Sequence, residues 1–209
     1  MRARRRRRPE EAERAILSAA RSFLEKNAFR ELTVERVMAR TGLSRPAFYA
    51  YFGDRYDLVA RMLEGIGGLL FAVDRRWLVG DEERSEEASE VLADTLRRGA
   101  ETFVRYGPVL RAISDAASQD PRVEEVYRFG LIERLIASVA GRIDRDVERG
   151  LSPGDLNPEE TACALVLMTE RYLLDAFGRP RDRPSREKAT AVVEALTAVW
   201  VRTLYGQGP

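Results

Sequence analysis

Apolar residues recur along most of the chain at spacings of three and four, which is the pattern of helices that bury one face. No segment shows the sustained apolar–polar alternation that is typical of a strand. The helical pattern runs through the ranges 9–26, 33–41, 45–52, 54–77, 85–106, 109–118, 121–149, 159–178 and 185–205. The sequence therefore predicts an all-α fold of about nine helices.

Capping residues mark several of the predicted helix ends. Gly42 can adopt the positive φ that closes a helix. Ser44 and Asp54 carry side-chain oxygens that can accept hydrogen bonds from the first free N–H groups of a helix. The pair Gly107 and Pro108 predicts the end of the fifth helix, because proline removes a helical hydrogen bond.

The last two predicted helices carry an unusual amount of apolar surface. The range 159–178 is apolar nearly all round, and the range 185–205 has two apolar rows. A second copy of the chain is the simplest cover for this surface. The alternative is a thick core within one chain.

Charge is distributed unevenly along the 209 residues. Residues 1–60 hold 14 basic and 8 acidic residues, whereas the rest of the chain holds 21 basic and 26 acidic residues. Residues 1–8, MRARRRRR, form a cationic arm that we expect to be disordered when free. This arm could reach DNA phosphates or a minor groove, or it could be a solubilising tail. The asymmetry predicts that one end of the protein meets a polyanion.

The composition argues against an enzyme or a metalloprotein. The chain has no histidine and one cysteine, Cys163, which we interpret as a small buried apolar residue. Glu170 is a carboxylate without a neighbouring nucleophile or metal cluster, so it does not make a catalytic site. We expect no metal and no cofactor. No apolar run approaches the roughly 20 residues of a membrane span and no signal peptide is present, so we expect a cytoplasmic protein without a membrane partner.

The stretch 41–58 carries the side chains that point most specifically to a function. Its short helix places Phe48 and Phe52 on one face, where they can join the core. Arg45 and Tyr49 lie elsewhere on the helix, and they could contact guanine edges and phosphates. Together with the preceding helix, this spacing predicts a helix-turn-helix. The alternative is a surface helix whose tyrosines close the edge of a core.

Four stretches of the chain resemble a known family. Residues 32–34 and 39–52, which read LTV and ARTGLSRPAFYAYF, resemble the N-terminal signature of TetR-type transcriptional regulators. Residues 165–174 and 198–206, which read LVLMTERYLL and AVWVRTLYG, are similar to the EthR-like repressors of that family. The likeness covers most of the chain apart from the arginine arm.

The resemblance implies a repressor with three parts: a basic arm over residues 1–8, a helix-turn-helix DNA-binding domain over 9–53, and a ligand-binding and dimerisation domain over 54–209. It also implies a homodimer joined through the last two helices, and palindromic double-stranded operator DNA as the partner. A small hydrophobic effector would release the DNA. Such a protein acts in the bacterial cytoplasm, on the nucleoid when it is bound to DNA.

The resemblance also assigns individual residues. Bases would be contacted by Ser44, Arg45, Pro46 and Ala47, and phosphates by Thr33, Tyr49, Tyr51 and Arg55. The ligand would be bound by Phe103, Val104, Tyr127, Leu131, Val166, Thr169, Glu170, Leu173 and Trp200. Val166 and Thr169 stand where the family's ligand tunnel carries two asparagines, so we expect a different apolar ligand here.

Two other functions fit the residues less well. A small-molecule carrier with a vestigial headpiece would show no preferred DNA site. A basic-armed chromosome-packaging protein would bind DNA according to its length and without sequence preference.

Overall fold

The computed structural model describes residues 9–182 and 184–206, so the basic arm at 1–8 lies outside the described residues. The described chain is helical throughout and contains no strand, as predicted. Its elements are α1 Pro9–Leu24, a 3₁₀ turn Phe29–Glu31, α2 Val34–Thr41, α3 Arg45–Tyr49, α4 Arg55–Leu78, α5 Ser85–Ala117, α6 Pro121–Glu124, a π segment Glu125–Glu133, α7 Arg134–Glu148, α8 Pro158–Phe177 and α9 Arg186–Tyr205.

The first three helices and the start of α4 form a headpiece around a small apolar core. Phe23, Val37, Phe48 and Phe52 are all buried in it. Burial of these rings anchors α3, which at five residues is too short to be stable alone. The headpiece therefore holds α3 rigidly while leaving its other face free.

Local capping sets the boundaries of the headpiece helices. Gly42 adopts the left-handed conformation, with φ 68°, at the end of α2. The Asp54 carboxylate accepts hydrogen bonds from the backbone N–H groups of Tyr56 and Asp57 at 2.8 and 2.9 Å, as expected for the N-cap of α4. Ser44 has the extended backbone of an N-cap, although its side chain accepts no capping hydrogen bond.

The break predicted at Gly107 and Pro108 is wrong, because α5 continues through both residues for 33 residues in all. The reason is tertiary packing. A Cβ on Gly107 would lie 2.3 Å from the carbonyl oxygen of Phe177, so the glycine lets the end of α8 approach the α5 backbone. Burial on this side of α5 offsets the hydrogen bond that proline removes.

The single helix predicted over 121–149 is also wrong in detail. The chain passes from α6 through nine residues of π-helix before α7 begins. A wider turn shifts the phase of the side chains, so Phe129 is 55% exposed while Leu131 and Ile132 are buried. The apolar spacing could not reveal this change, because it is read with a fixed helical period.

The helices α8 and α9 pack against α5 and leave an apolar face outside. Leu167, Met168 and Tyr172 of α8 and Val199 of α9 are between 37% and 43% exposed. The predicted surplus of apolar surface on the last two helices is thus visible in the single chain. Within the described residues, no helix is long and apolar enough to cross a membrane.

Candidate DNA-binding surface and ligand cavity

The α3 helix presents a cation and a phenol on its outer face. Tyr49 is 51% exposed and Arg45 is also exposed, whereas Phe48 between them is fully buried. The Arg45 guanidinium lies 2.9 Å from the Glu35 carboxylate and donates to the Tyr49 hydroxyl at 3.4 Å. A hydrogen bond from its own backbone N–H, and then the charge of Arg45, hold the pKa of Glu35 below its ordinary value. Without DNA, Arg45 is therefore paired with an anion of its own chain.

The other residues assigned to base contacts lie on the same edge of the headpiece. Ser44 and Pro46 are exposed, and Ala47 is half-buried. Thr33 is exposed at the start of α2, where its hydroxyl accepts from the backbone N–H of Arg36 at 3.3 Å. The structure thus gathers these side chains around the first turns of α2 and α3.

Two residues assigned to phosphate contacts also have contacts within the protein. The Arg55 guanidinium stacks on Phe29 and Tyr56, at 4.8 and 5.0 Å from the ring centres, and donates to the carbonyl oxygen of Leu32. Tyr51 is half-buried and lines a cleft with Arg122 of α6. Both side chains contribute to the packing of the headpiece, and their contacts with phosphates stay a prediction.

An apolar cavity of about 90 Å³ lies between α4, α5, the π segment, α7, α8 and α9. Eight of the nine residues assigned to the ligand lie on its wall: Phe103, Tyr127, Leu131, Val166, Thr169, Glu170, Leu173 and Trp200. Val104 does not, since it is 39% exposed on the outside of α5. Val104 therefore lies outside this cavity, and its contact with a ligand stays a prediction that the cavity does not support.

Polar groups are confined to a few points of the cavity wall. The Tyr127 hydroxyl donates a hydrogen bond to the Glu170 carboxylate, and the Trp200 indole N–H donates to the Thr169 hydroxyl at 2.8 Å. Burial, and then the negative charge of Glu170, raise the pKa of Tyr127 well above its ordinary value. Tyr127 is therefore a neutral donor at any physiological pH.

The C-terminal end of α4 reaches the same cavity. Trp77 lines the wall, meets Trp200 edge-on with ring centres 5.9 Å apart, and donates its indole N–H to the Tyr205 hydroxyl at 3.0 Å. Tyr205 in turn donates to Asp146 at 3.0 Å. The position of Trp77 is thus coupled to α7 and α9.

A buried arginine completes this network. Arg142 has no exposed surface and pairs with Asp146 of α7 at 2.8 Å and with Glu82 at 2.9 Å. Its guanidinium also donates to the carbonyl oxygens of Trp77 and Gly80. Burial would lower the pKa of Arg142, but Asp146 and Glu82 raise it overall, so the side chain remains charged. A cation here satisfies carbonyl groups that end α4.

Comparison with known proteins agrees with this architecture. The family described as "Bacterial regulatory proteins, tetR family" matches residues 16–62. The family described as "Transcriptional regulator EthR, C-terminal domain" matches residues 92–206, which is more than half of the chain. The chain belongs to the TetR family of transcriptional regulators.

Relatives and solved structures agree with this TetR-family assignment. The transcriptional regulator EthR of Mycolicibacterium smegmatis is 31% identical over 204 residues, covering 96% of this chain and 89% of the relative. EthR of Mycobacterium tuberculosis strain CDC 1551 is 30% identical over 202 residues, covering 95% and 89%. The crystal structure of PfmR from Thermus thermophilus shares the fold, with a TM-score of 0.70 at 21% identity, over 91% of this chain and 95% of that one.

FadR from Bacillus halodurans also has this fold, with a TM-score of 0.72 at 10% identity, over 94% of this chain and 97% of that one. As a TetR-family regulator, the protein is a DNA-binding transcription factor and not an enzyme.

Sequence reasoning missed the network around Arg142 in this TetR-family regulator. A signal was present, because Arg142 and Asp146 are four residues apart and fall within the apolar stripe of Val139 and Ile143. Charged residues on a buried face have to be paired with each other. The partner Glu82, 60 residues away, could not be found this way.

Proposed function

We propose that the protein is a repressor that binds a palindromic operator as a homodimer and is released by a small apolar effector. The observation that carries this proposal is the span of α4. The helix follows α3 in the chain, begins at Arg55 and ends at Leu78, and its last residues Trp77 and Leu78 lie on the cavity wall. One continuous helix therefore connects the candidate DNA-binding surface with the candidate ligand cavity.

A second contact between the two halves supports the proposal. Arg122 of α6 pairs at 2.7 Å both with Asp54, the N-cap of α4, and with Asp120, the N-cap of α6. A rearrangement of α6 or the π segment would therefore act on the start of α4 as well as on its end. A ligand shifts such an equilibrium only by the difference between its affinities for the two states.

The exposed apolar face of α8 and α9 supports the dimer. Four large apolar side chains that are 37–43% exposed form a surface that a monomer would leave in water. In a symmetric pair, the same face on each copy would cover the other. Two headpieces could then read two half-sites about one duplex turn apart.

The direct test uses labelled DNA from upstream of the protein's own coding region. We expect retardation that survives an excess of unrelated DNA and weakens with salt, as phosphate contacts require. Footprinting should show a two-fold symmetric protected site. Binding that scales with DNA length and has no preferred site would overturn the operator and would favour chromosome packaging. No binding at all would favour a carrier.

A further inference from the structure

Charge in the cavity wall is limited to a single carboxylate. Among the described residues that line the cavity, Glu170 is the one charged side chain, and the rest are apolar or neutral. Arg111 lies near Tyr127, but its guanidinium is directed to Asp175, with a distance of 2.6 Å between their nearest nitrogen and oxygen atoms. Arg111 does not belong to the cavity wall. Among the described lining residues, a ligand in the cavity therefore meets one negative charge and no positive one.

Three of the hydrogen-bond donors of the wall are engaged. The indole N–H of Trp77 bonds to Tyr205, that of Trp200 to Thr169, and the hydroxyl of Tyr127 to Glu170. A carboxylate has about four lone-pair positions, so Tyr127 leaves acceptor capacity on Glu170. Glu170 thus offers a ligand free acceptor positions, whereas the Trp77, Trp200 and Tyr127 donors are already engaged.

From this arrangement we infer that the cavity selects an apolar amine, whose ammonium group is held by the Glu170 carboxylate while its hydrocarbon part fills the apolar wall. This inference rests on the proposed function in taking the cavity as the effector site. An ammonium supplies both N–H donors and the opposite charge. Such charge-assisted hydrogen bonds are roughly twice as strong as neutral ones.

The same arrangement disfavours an apolar acid. Its carboxylate would lie beside Glu170 in a site of low dielectric constant, where repulsion between like charges is stronger than in water. It would also compete with Glu170 for the Tyr127 hydroxyl. A neutral alcohol of equal chain length should fall between the amine and the acid.

Binding can be measured without DNA through the protein's own fluorescence. The chain has two tryptophans, Trp77 and Trp200, and both line the cavity. Titration with decylamine, decanol and decanoate at neutral pH should change this emission. We expect decylamine to bind at least roughly tenfold more tightly than decanoate, which is the effect of 1.4 kcal/mol.

A matched set of variants locates the effect. Glu170→Gln should lose roughly tenfold in affinity for decylamine and keep its affinity for decanol, which shows that the cavity remains folded. Tyr127→Phe should strengthen decylamine binding, because it removes the internal donor that occupies the Glu170 carboxylate. Glu101→Gln removes the same charge from the exposed side of α5 and should change nothing.

The inference is overturned if decanoate binds the parent protein as tightly as decylamine, or if Glu170→Gln leaves decylamine affinity unchanged. It is also overturned if decylamine and decanol affinity fall together in that variant. Release of operator DNA is measured separately. If decylamine binds but releases no DNA, the effector mechanism under the proposed function fails while the assignment of Glu170 stands.

Discussion

At the scale of single residues, the chemistry of α3 is set by the position of each side chain on a short helix. Phe48 is buried and fixes the helix, so Arg45 and Tyr49 are held at the surface with few internal contacts. The difference between the two side chains is chemical. A guanidinium can pair with two acceptors of one guanine, whereas a phenol bonds to one phosphate oxygen.

Substitution of these two residues should have different effects on DNA binding. Tyr49→Phe should weaken binding to all sequences alike, because it removes a contact that carries no base preference. Arg45→Ala should also weaken binding and reduce the preference for the operator over unrelated DNA by roughly tenfold. Affinities of both variants for operator and for scrambled DNA provide the measurement. Parent-like affinity in both would contradict the assignment of α3.

Glu35 competes with DNA for the same guanidinium. Its carboxylate lies 2.9 Å from Arg45 and is exposed near the surface that would meet phosphates. We expect Glu35→Gln to raise the affinity for DNA severalfold, because it frees Arg45 and removes a repelling charge. Titration of labelled DNA with the parent and with the variant, at two salt concentrations, measures this change in affinity. Glu64→Gln on α4, whose carboxylate pairs with Arg61, is a matched control that should leave affinity unchanged.

At the scale of elements, α5 shows how tertiary contacts override a local signal. Gly107 and Pro108 would end most helices, yet α5 continues because Gly107 lies directly against the backbone of Phe177. The absence of a side chain is what permits this close approach between α5 and the end of α8.

Gly107→Ala should therefore destabilise the protein by about 1–3 kcal/mol, which is the usual cost of overpacking. Gly99→Ala is the control on the same helix. An added Cβ there meets nothing within 4 Å, so this variant should gain up to about 1 kcal/mol through helix propensity. Urea unfolding of both variants measures the two free energies. A neutral or stabilising Gly107→Ala would show that the contact with Phe177 is not restrictive.

Other elements could be predicted where contacts between neighbouring residues determine them, and could not be predicted where contacts between distant parts of the chain do. Gly42 and Asp54 act on their immediate neighbours, so the ends of α2 and α4 could be read from the sequence. The π segment could not, because its winding depends on packing against several helices. The resemblance supplied eight of the residues that line the cavity. Trp77 was missed because its approach to Trp200 joins residues far apart in the chain.

At the scale of the whole molecule, α4 is attached to the C-terminal half at both ends. Arg122 pairs with Asp54 at its start, and Arg142 and Arg145 donate to the carbonyl oxygens of Trp77 and Leu78 at its end. Arginine side chains of the C-terminal half thus hold α4 at the end next to the headpiece and at the end next to the cavity. The strength of the contact at the start of α4 depends on pH.

Burial alone would raise the pKa of Asp54, but the Arg122 guanidinium and two backbone N–H groups hold it below its ordinary value of 3.8. The resulting stabilisation is complete above pH 3.8. It is lost as the pH falls through the lower pKa that Asp54 has in the folded protein. Arg122→Gln should lower the Tm slightly at pH 7, and the difference from the parent should shrink in acid.

Tm values between neutral and acid pH test this expectation. The control is Arg128→Gln, since Arg128 pairs with Glu133 at 3.3 Å within the π segment and not with the headpiece. A difference between Arg122→Gln and the parent that stays constant with pH would contradict the role given to the ion pairs of Arg122 with Asp54 and Asp120.

The dimer proposed for the whole molecule can be tested on its apolar face. Leu167→Glu places a charge on the exposed face of α8 and should convert a dimer into monomers in sedimentation velocity. Val104→Glu is the control, because Val104 is equally exposed but lies on α5. Because Leu167→Glu removes the dimer, its affinity for the operator should be lower than that of the parent. If Leu167→Glu sediments as the parent does, another surface joins the copies.

The span of α4 also constrains how the sequence can change in length. Each residue of an α-helix adds about 1.5 Å and turns the chain by about 100°. One residue inserted between Arg55 and Leu78 would therefore rotate the whole headpiece by more than a quarter of a circle while the packed half keeps its register. In a symmetric dimer, both headpieces would be rotated away from the DNA duplex at the same time. Insertions and deletions should thus be far less tolerated in this helix than amino-acid exchanges.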